Sequence, residues 1–379
     1  MKQFTRIAFA VAALTLVAGC SRQVNVKFGF VGPISGPLAE IGKDMLHGAE
    51  IAVEELNRDG FIIDGKRAHF ELVVEDDGSD AEKGKAAVKR LIDAGIVGAI
   101  GHFNSGVAIP TSAQFAAAGV PEFSLATNPK YTRMGNKTAF RILADDVEQG
   151  GALARLAIDK FKAKTPFIVD DQTTFGTGIA EEMGKVFKNK NIQIPRESIA
   201  KAADPAKADY SELVKKIIAN NTDVLLYGGT EEAGIPFLKA LRAAGSQAKF
   251  VGGDGMCAPS IVKSGGGAAD NNFYCSIPGT PAAWLSQGIN FTQMYKQKFG
   301  EPGGQSALTY ESIHVMAQAM ERARSTDPKA YLPELTKGPF DGKVQGAVEF
   351  DQKGDIKDGT VAIYQTSNGT LSEQRALTQ

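Results

Sequence analysis

Residues 96–127 read IVGAIGHFNSGVAIPTSAQFAAAGVPEFSLAT. The run 97–101 is short, apolar and closed by glycine, the pattern of a strand buried on both faces. Residues 108–118 then carry small and apolar side chains over a helical length, and a second short apolar run follows at 121–126. Strand, helix and strand in such close succession make the unit of a parallel sheet covered by helices. The polar residues sit in the turns that leave the strands. Ser105 stands where the helix begins, and Ser124 and Thr127 follow the second strand.

The alternation continues in both directions. Upstream, 26–31 is an apolar run, and 41–57 has helical spacing through Met45, Ala49, Ala52, Val53 and Leu56. Residues 70–74 alternate, and 81–94 are again helical. A second series begins near Asp145, with helices at 147–161, 178–188, 210–220 and 233–244. Strands are expected between them at 166–170, 197–200, 224–227 and 249–252. Two such series predict an α/β fold of two doubly wound, parallel-sheet lobes. The last third breaks the rhythm, with consecutive helices at 282–299 and 308–324 and short strands at 347–350 and 361–364.

Lysine and arginine number 42 and aspartate and glutamate 43. That balance offers no basic surplus for nucleic acid. The N-terminus is different. Lys2 and Arg6 precede an apolar run at 7–19, which is too short for a bilayer span of about 20 residues. Residues 1–19 therefore read as a secretory signal peptide. Its end, Val17-Ala18-Gly19-Cys20, resembles the lipobox of bacterial lipoproteins, in which Cys20 would be lipidated. A plain signal peptide with an incidental cysteine is the other reading. Export to an oxidising compartment makes Cys257 and Cys275 a candidate disulfide, with two separate buried thiols as the alternative.

Catalytic patterns are missing. No phosphate-binding GxxxxGK[ST], GxSxG elbow, HExxH or CxxC occurs, so no cofactor or metal is expected. Of the four histidines, His47, His69, His102 and His314, only His102 lies close in sequence to a candidate nucleophile, Ser105. An exported serine hydrolase is one alternative on that basis. A binding site fits the residues better. A helix starting near Ser105 presents free N–H groups and its positive dipole end, which suits an anion. Ser105 and Thr127 add hydroxyl donors. Asp254, at a strand end of the other series, would accept from an ammonium, although Asp-Gly is also an ordinary turn. A carboxylate at one end and an ammonium at the other describe an α-amino acid zwitterion. Ile41, Phe103, Leu125 and Phe175 could line its side chain.

With these residues in place, the sequence resembles the periplasmic leucine/isoleucine/valine-binding proteins of ABC importers (periplasmic binding protein type I). The resemblance is carried by FVGPISGPLAEIGKDMLHGAEIAVEELN (30–57) and VVEDDGSDAEKGKAAVKRLIDAGIVGAIGH (73–102). SLATNPKYT, TFGTG, DVLLYGG, KFVGGDG and FDQKGDI continue it in order. It implies two lobes, a hinge and a ligand cleft between them. Lobe 1 would be 24–143 plus 277–348, and lobe 2 would be 144–276 plus 349–379, with crossings near Asp145, Ser276 and Phe350. It implies that Ser105 and Thr127 hold the ligand carboxylate and that the Leu125 carbonyl and Asp254 hold the ammonium. Phe175 stands where the family commonly has tyrosine, Asp254 where it has glutamate, and Ile41 and Thr230 replace further tyrosines. The family's usual disulfide positions read Gly78 and Asn104 here. The resemblance further implies an amino-acid ligand, a permease with its ATPase as partner, no nucleic acid, a monomer, and a place in the periplasm or, through Cys20, at a membrane face. A sensory protein of the same fold, taking another small amide or carboxylate, is a second alternative.

Overall fold

The computed structural model describes residues 23–199, 207–270 and 272–374. Residues 1–19, expected to be a signal peptide, and Cys20 lie outside the described residues. The first sheet holds β1 (Gln23–Gly32), β2 (Ile62–Ile63), β3 (Lys66–Asp76), β4 (Gly98–Gly101), β5 (Glu122–Phe123) and β6 (Ala139–Phe140). The spatial order is β2-β3-β1-β4-β5-β6, parallel except for the β2–β3 hairpin. Strand β1 is continuously apolar from Phe28 to Val31 because helices cover both of its faces there. Val26, Phe28 and Phe30 pack with Met45, Ala49 and Leu56 of helix Ala39–Asp59 and with Ile313, Met316 and Met320 of helix Ser306–Ala323. Val31 points the other way, onto Ala87, Val88, Leu91 and Phe115 of helices Ala81–Asp93 and Ser105–Ala118.

The second sheet begins with β7 (Phe167–Asp170), β8 (Arg196–Ser198), β9 (Val224–Gly228), β10 (Lys249–Gly252) and β11 (Phe273–Pro278). A separate hairpin, β12 (Phe340–Asp341) with β13 (Ala347–Val348), follows. The chain then returns to the second sheet as β14 (Val361–Ser367) and β15 (Thr370–Glu373). Its order is β15-β14-β11-β10-β9-β7-β8, with the two C-terminal strands antiparallel. The two-lobed α/β fold predicted from the alternation is therefore present. Helix Thr174–Asn189 starts earlier than its apolar spacing indicates, because the Thr173 hydroxyl caps it by accepting from the Gly176 N–H at 2.8 Å. The stretch 282–299 is not one helix. Leu285 is extended and separates a short turn, Ala282–Trp284, from helix Ser286–Phe299.

Three connections join the sheets, and they run side by side. The Gly279 N–H donates to the Thr360 carbonyl at 2.7 Å. Gly359 lies so close to the first connection that an added Cβ would be 2.9 Å from the Ala144 Cα. The second and third passages fall a few residues later than the sequence places them. Strand β11 stays in the second sheet through Pro278. The Phe350 ring still packs on Phe123 and Phe140 of the first sheet, and Asp355 pairs with Arg141. Cys257 and Cys275 are bonded, with Cα atoms 5.4 Å apart, and tie the loop after β10 to β11.

Candidate functional site

Ser105 opens helix Ser105–Ala118. Asn104 precedes it in extended conformation, and no side chain caps the first turn. Ser105 is 1% exposed. Its Oγ accepts from the Asn128 N–H at 3.2 Å, which leaves the hydroxyl hydrogen free to donate. The segment after β5 is tied back to this turn. Ser124 Oγ and the Leu125 N–H both donate to the His102 carbonyl, at 2.8 and 3.0 Å. Arg141, fully buried and paired with Asp355, donates to the carbonyls of Ala126 and Asn128 at 3.0 and 2.9 Å. The turn bearing Leu125 and Thr127 is thus held from both sides. Asn128 then reaches the second lobe, donating from Nδ2 to the Thr174 carbonyl at 3.1 Å.

From the second lobe comes the loop Gly253–Asp254–Gly255. Its two glycines let it lie on the Phe175 ring, since added Cβ atoms would be 3.1 and 3.0 Å from ring carbons. At Gly253 the same atom would be 3.0 Å from Gln149 Oε1. Asp254 is almost completely buried, and its Oδ1 has no partner among the described residues. Burial pushes its carboxyl up to about 7.

Two residues that the sequence reading missed complete the cluster. Asp146 and Gln149 both lie on helix Asp146–Arg155 and are fully buried. All four of their side-chain polar atoms are unpartnered among the described residues. Burial raises the Asp146 carboxyl well above the ordinary range, the Thr127 hydroxyl opposes that rise, and Asp254 adds to it. In sequence Asp145-Asp146 reads as a helix cap, and Asp145 is one: it forms a reciprocal capping box with Glu148. Nothing in the spacing shows that the second aspartate turns inward. Buried polar groups are nearly always paired, so this concentration of unpaired atoms, three of the four being acceptors, marks a place for a donor. Asp146, Gln149 through its Oε1, and Asp254 together suit an ammonium.

The apolar candidates are brought together in part. Ile41, Phe103 and Leu125 belong to one packed cluster that also takes in Ala258 from the second lobe. Ile41, Asp254 and Ala258 line a cavity of about 240 Å³ together with Gln305, another residue the sequence reading missed. Phe103, Leu125, Phe175 and Thr230 do not line that cavity. Thr230 stands at the start of helix Glu231–Ala243, where its N–H donates to Asp171 Oδ2 at 2.9 Å. It touches the Asp254 loop through its backbone, beside Gly255. The hydrolase pairing is not formed. His102 is fully buried with Nδ1 2.6 Å from Asp77 Oδ2, and no hydrogen bond joins it to Ser105 among the described residues.

Residues 25–370 match the model of a family described as periplasmic binding protein. The Leu/Ile/Val-binding protein homolog 1 of Brucella abortus is 30% identical over 362 residues, covering 94% of each chain. A leucine-, isoleucine-, valine-, threonine-, and alanine-binding protein of Pseudomonas aeruginosa is 26% identical, also covering 94% of each. Among solved structures, the branched-chain amino acid transporter substrate binding protein LivJ of Streptococcus pneumoniae, in complex with isoleucine, superposes with a TM-score of 0.80 at 25% identity. It covers 93% of this chain and 100% of its own. A leucine binding protein, LivK, of Thermotoga maritima shares the fold with a TM-score of 0.82 at 24% identity, covering 92% of this chain and 97% of its own.

Proposed function

This chain belongs to the periplasmic binding protein family, and we propose from that premise that it is the extracytoplasmic receptor of an ABC importer for an aliphatic α-amino acid. The observation that carries the reading is the buried, unpaired acceptor set at the junction of the lobes: Asp146 and Gln149 beside Asp254. The ligand ammonium lies there, with the Leu125 carbonyl as a further acceptor. Its carboxylate takes the Ser105 and Thr127 hydroxyls and the open start of helix Ser105–Ala118. Its side chain lies against Ile41, Phe103, Leu125 and Ala258, with Phe175 and Thr230 supporting the Asp254 loop. The relatives' names, one for leucine, isoleucine and valine and one for leucine, isoleucine, valine, threonine and alanine, support a small, mainly aliphatic side chain.

Closure of the lobes about the three connections buries the ligand, and the closed surface is offered to a permease with its ATPase. The segment 1–19 directs export, and Cys20 anchors the monomeric receptor to a membrane face by its lipid. Calorimetric titration with leucine, isoleucine and valine tests the reading. Ser105→Ala and Asp254→Asn each remove a partner of a buried charge and should weaken binding by about 2–5 kcal/mol. Unchanged affinity in both variants would sink the assignment of this site.

A further inference from the structure

We propose that Gln305 reads the far end of the ligand side chain, so that the receptor favours α-amino acids with an uncharged hydrogen-bond donor, a hydroxyl or carboxamide, over their hydrocarbon isosteres. The inference rests on the α-amino-acid reading above and departs from it in the side chain, replacing a purely hydrocarbon tip by a polar, uncharged one. Gln305 immediately precedes helix Ser306–Ala323. Its backbone N–H donates to Asp44 Oδ2 at 2.9 Å, as does that of Ser306, while the Gly303 N–H donates to Asp44 Oδ1 at 2.9 Å. Those bonds hold the backbone and leave the side chain uncommitted. The residue is 5% exposed, and its Oε1 is buried with no partner among the described residues.

Gln305 lines the same cavity as Asp254, Ile41 and Ala258. An amino acid held by its ammonium at Asp254 projects its side chain past Ile41 into that space. A methyl group at the end would leave the Gln305 oxygen buried and unpaired, whereas a hydroxyl or an amide N–H would satisfy it. Charged tips fit less well. Asp44 is engaged by three backbone N–H groups, Asp254 by the α-ammonium, and the remaining lining acids, Glu40 and Glu301, are exposed. A cationic tip thus finds no unpaired buried carboxylate. An anionic tip finds acids and no lysine or arginine among the lining residues. Burial also lowers the His47 pKa, which disfavours its charged form.

Isosteric pairs make the test. Threonine against valine, and asparagine against leucine, are titrated calorimetrically into the exported chain and into its Gln305→Leu and Gln305→Met variants. The expected result is tighter binding of threonine than valine by the unaltered protein. Both variants should shift each polar-to-apolar affinity ratio toward the hydrocarbon by about tenfold or more. The second variant serves if the first does not fold. Ratios unchanged by either substitution, or valine held tighter than threonine by the unaltered protein, overturn the role of Gln305 while leaving an amino-acid receptor intact. Failure of all four amino acids to bind overturns this proposal together with the reading beneath it.

Discussion

Asp254 is a carboxyl that the unliganded fold holds protonated to about pH 7, because burial disfavours its charge. In the unfolded chain an aspartate titrates near 4. Between those values the folded state keeps a proton that the unfolded state has released. This group therefore makes the unliganded protein less stable as pH rises from about 4 to about 7, with no further loss above that. In the proposed complex a ligand ammonium reverses the preference by favouring ionised Asp254. Binding below pH 7 then releases a proton from Asp254. Affinity should climb from about pH 5 to pH 7, by up to roughly tenfold per unit for one titrating group, and flatten above. Calorimetry in buffers of different ionisation enthalpy counts the released proton. Asp254→Asn should remove it, and a flat profile in the unaltered protein would take Asp254 away from the ammonium.

At the scale of elements, two devices hold the site walls. Asp44, on helix Ala39–Asp59, accepts three backbone N–H groups at the start of helix Ser306–Ala323 and so welds two helices that cover the same face of the first sheet. Asp44→Ala leaves those donors without their acceptor and should cost about 1–3 kcal/mol in urea unfolding; a loss within error would mean that the loop finds other acceptors. The second device is the Cys257–Cys275 bridge, which closes 18 residues of chain three positions after Asp254. Replacing both cysteines by serine should lower stability by about 3 kcal/mol in the chain-entropy model. Thermal unfolding with and without reductant should show the same difference in the unaltered protein, and none in the double variant.

At the scale of the whole molecule, the proposed closure changes how two lobes sit on three adjacent connections. The Asn128–Thr174 hydrogen bond already spans the lobes. Gly359 permits the close approach of the third connection to Ala144 in the first. Gly359→Val should force those strands apart and weaken ligand binding. Small-angle scattering should then find the ligand-saturated variant more extended than the ligand-saturated unaltered protein. Equal dimensions and equal affinity would show that closure does not pass through this contact. Saturation with ligand at 100 times its dissociation constant should raise the stability of the unaltered protein by about 2.7 kcal/mol.

The alternation of short apolar runs with helical spacing determined two α/β lobes, because burial on both faces leaves the same pattern wherever a parallel strand lies between helix layers. Ser105, Thr127 and Asp254 stand out as candidates for a related reason: they follow strands, and the carboxyl ends of strands are where open sheets bind ligands. The strands β2, β6 and β15, of two to four residues, were too short to show a period. Asp146, Gln149, Arg141 and Gln305 were not legible as site residues. Each sits in a helix start or short strand of ordinary composition, and each matters because distant segments enclose it: Asp254 beside Asp146 and Gln149, Asp355 against Arg141, Ile41 and Ala258 around Gln305. Local sequence sets which residues form strands and helices. Whether a polar atom ends buried without a partner, and so is left for a ligand, depends on which other segments close over it. That is decided only when the two lobes are assembled.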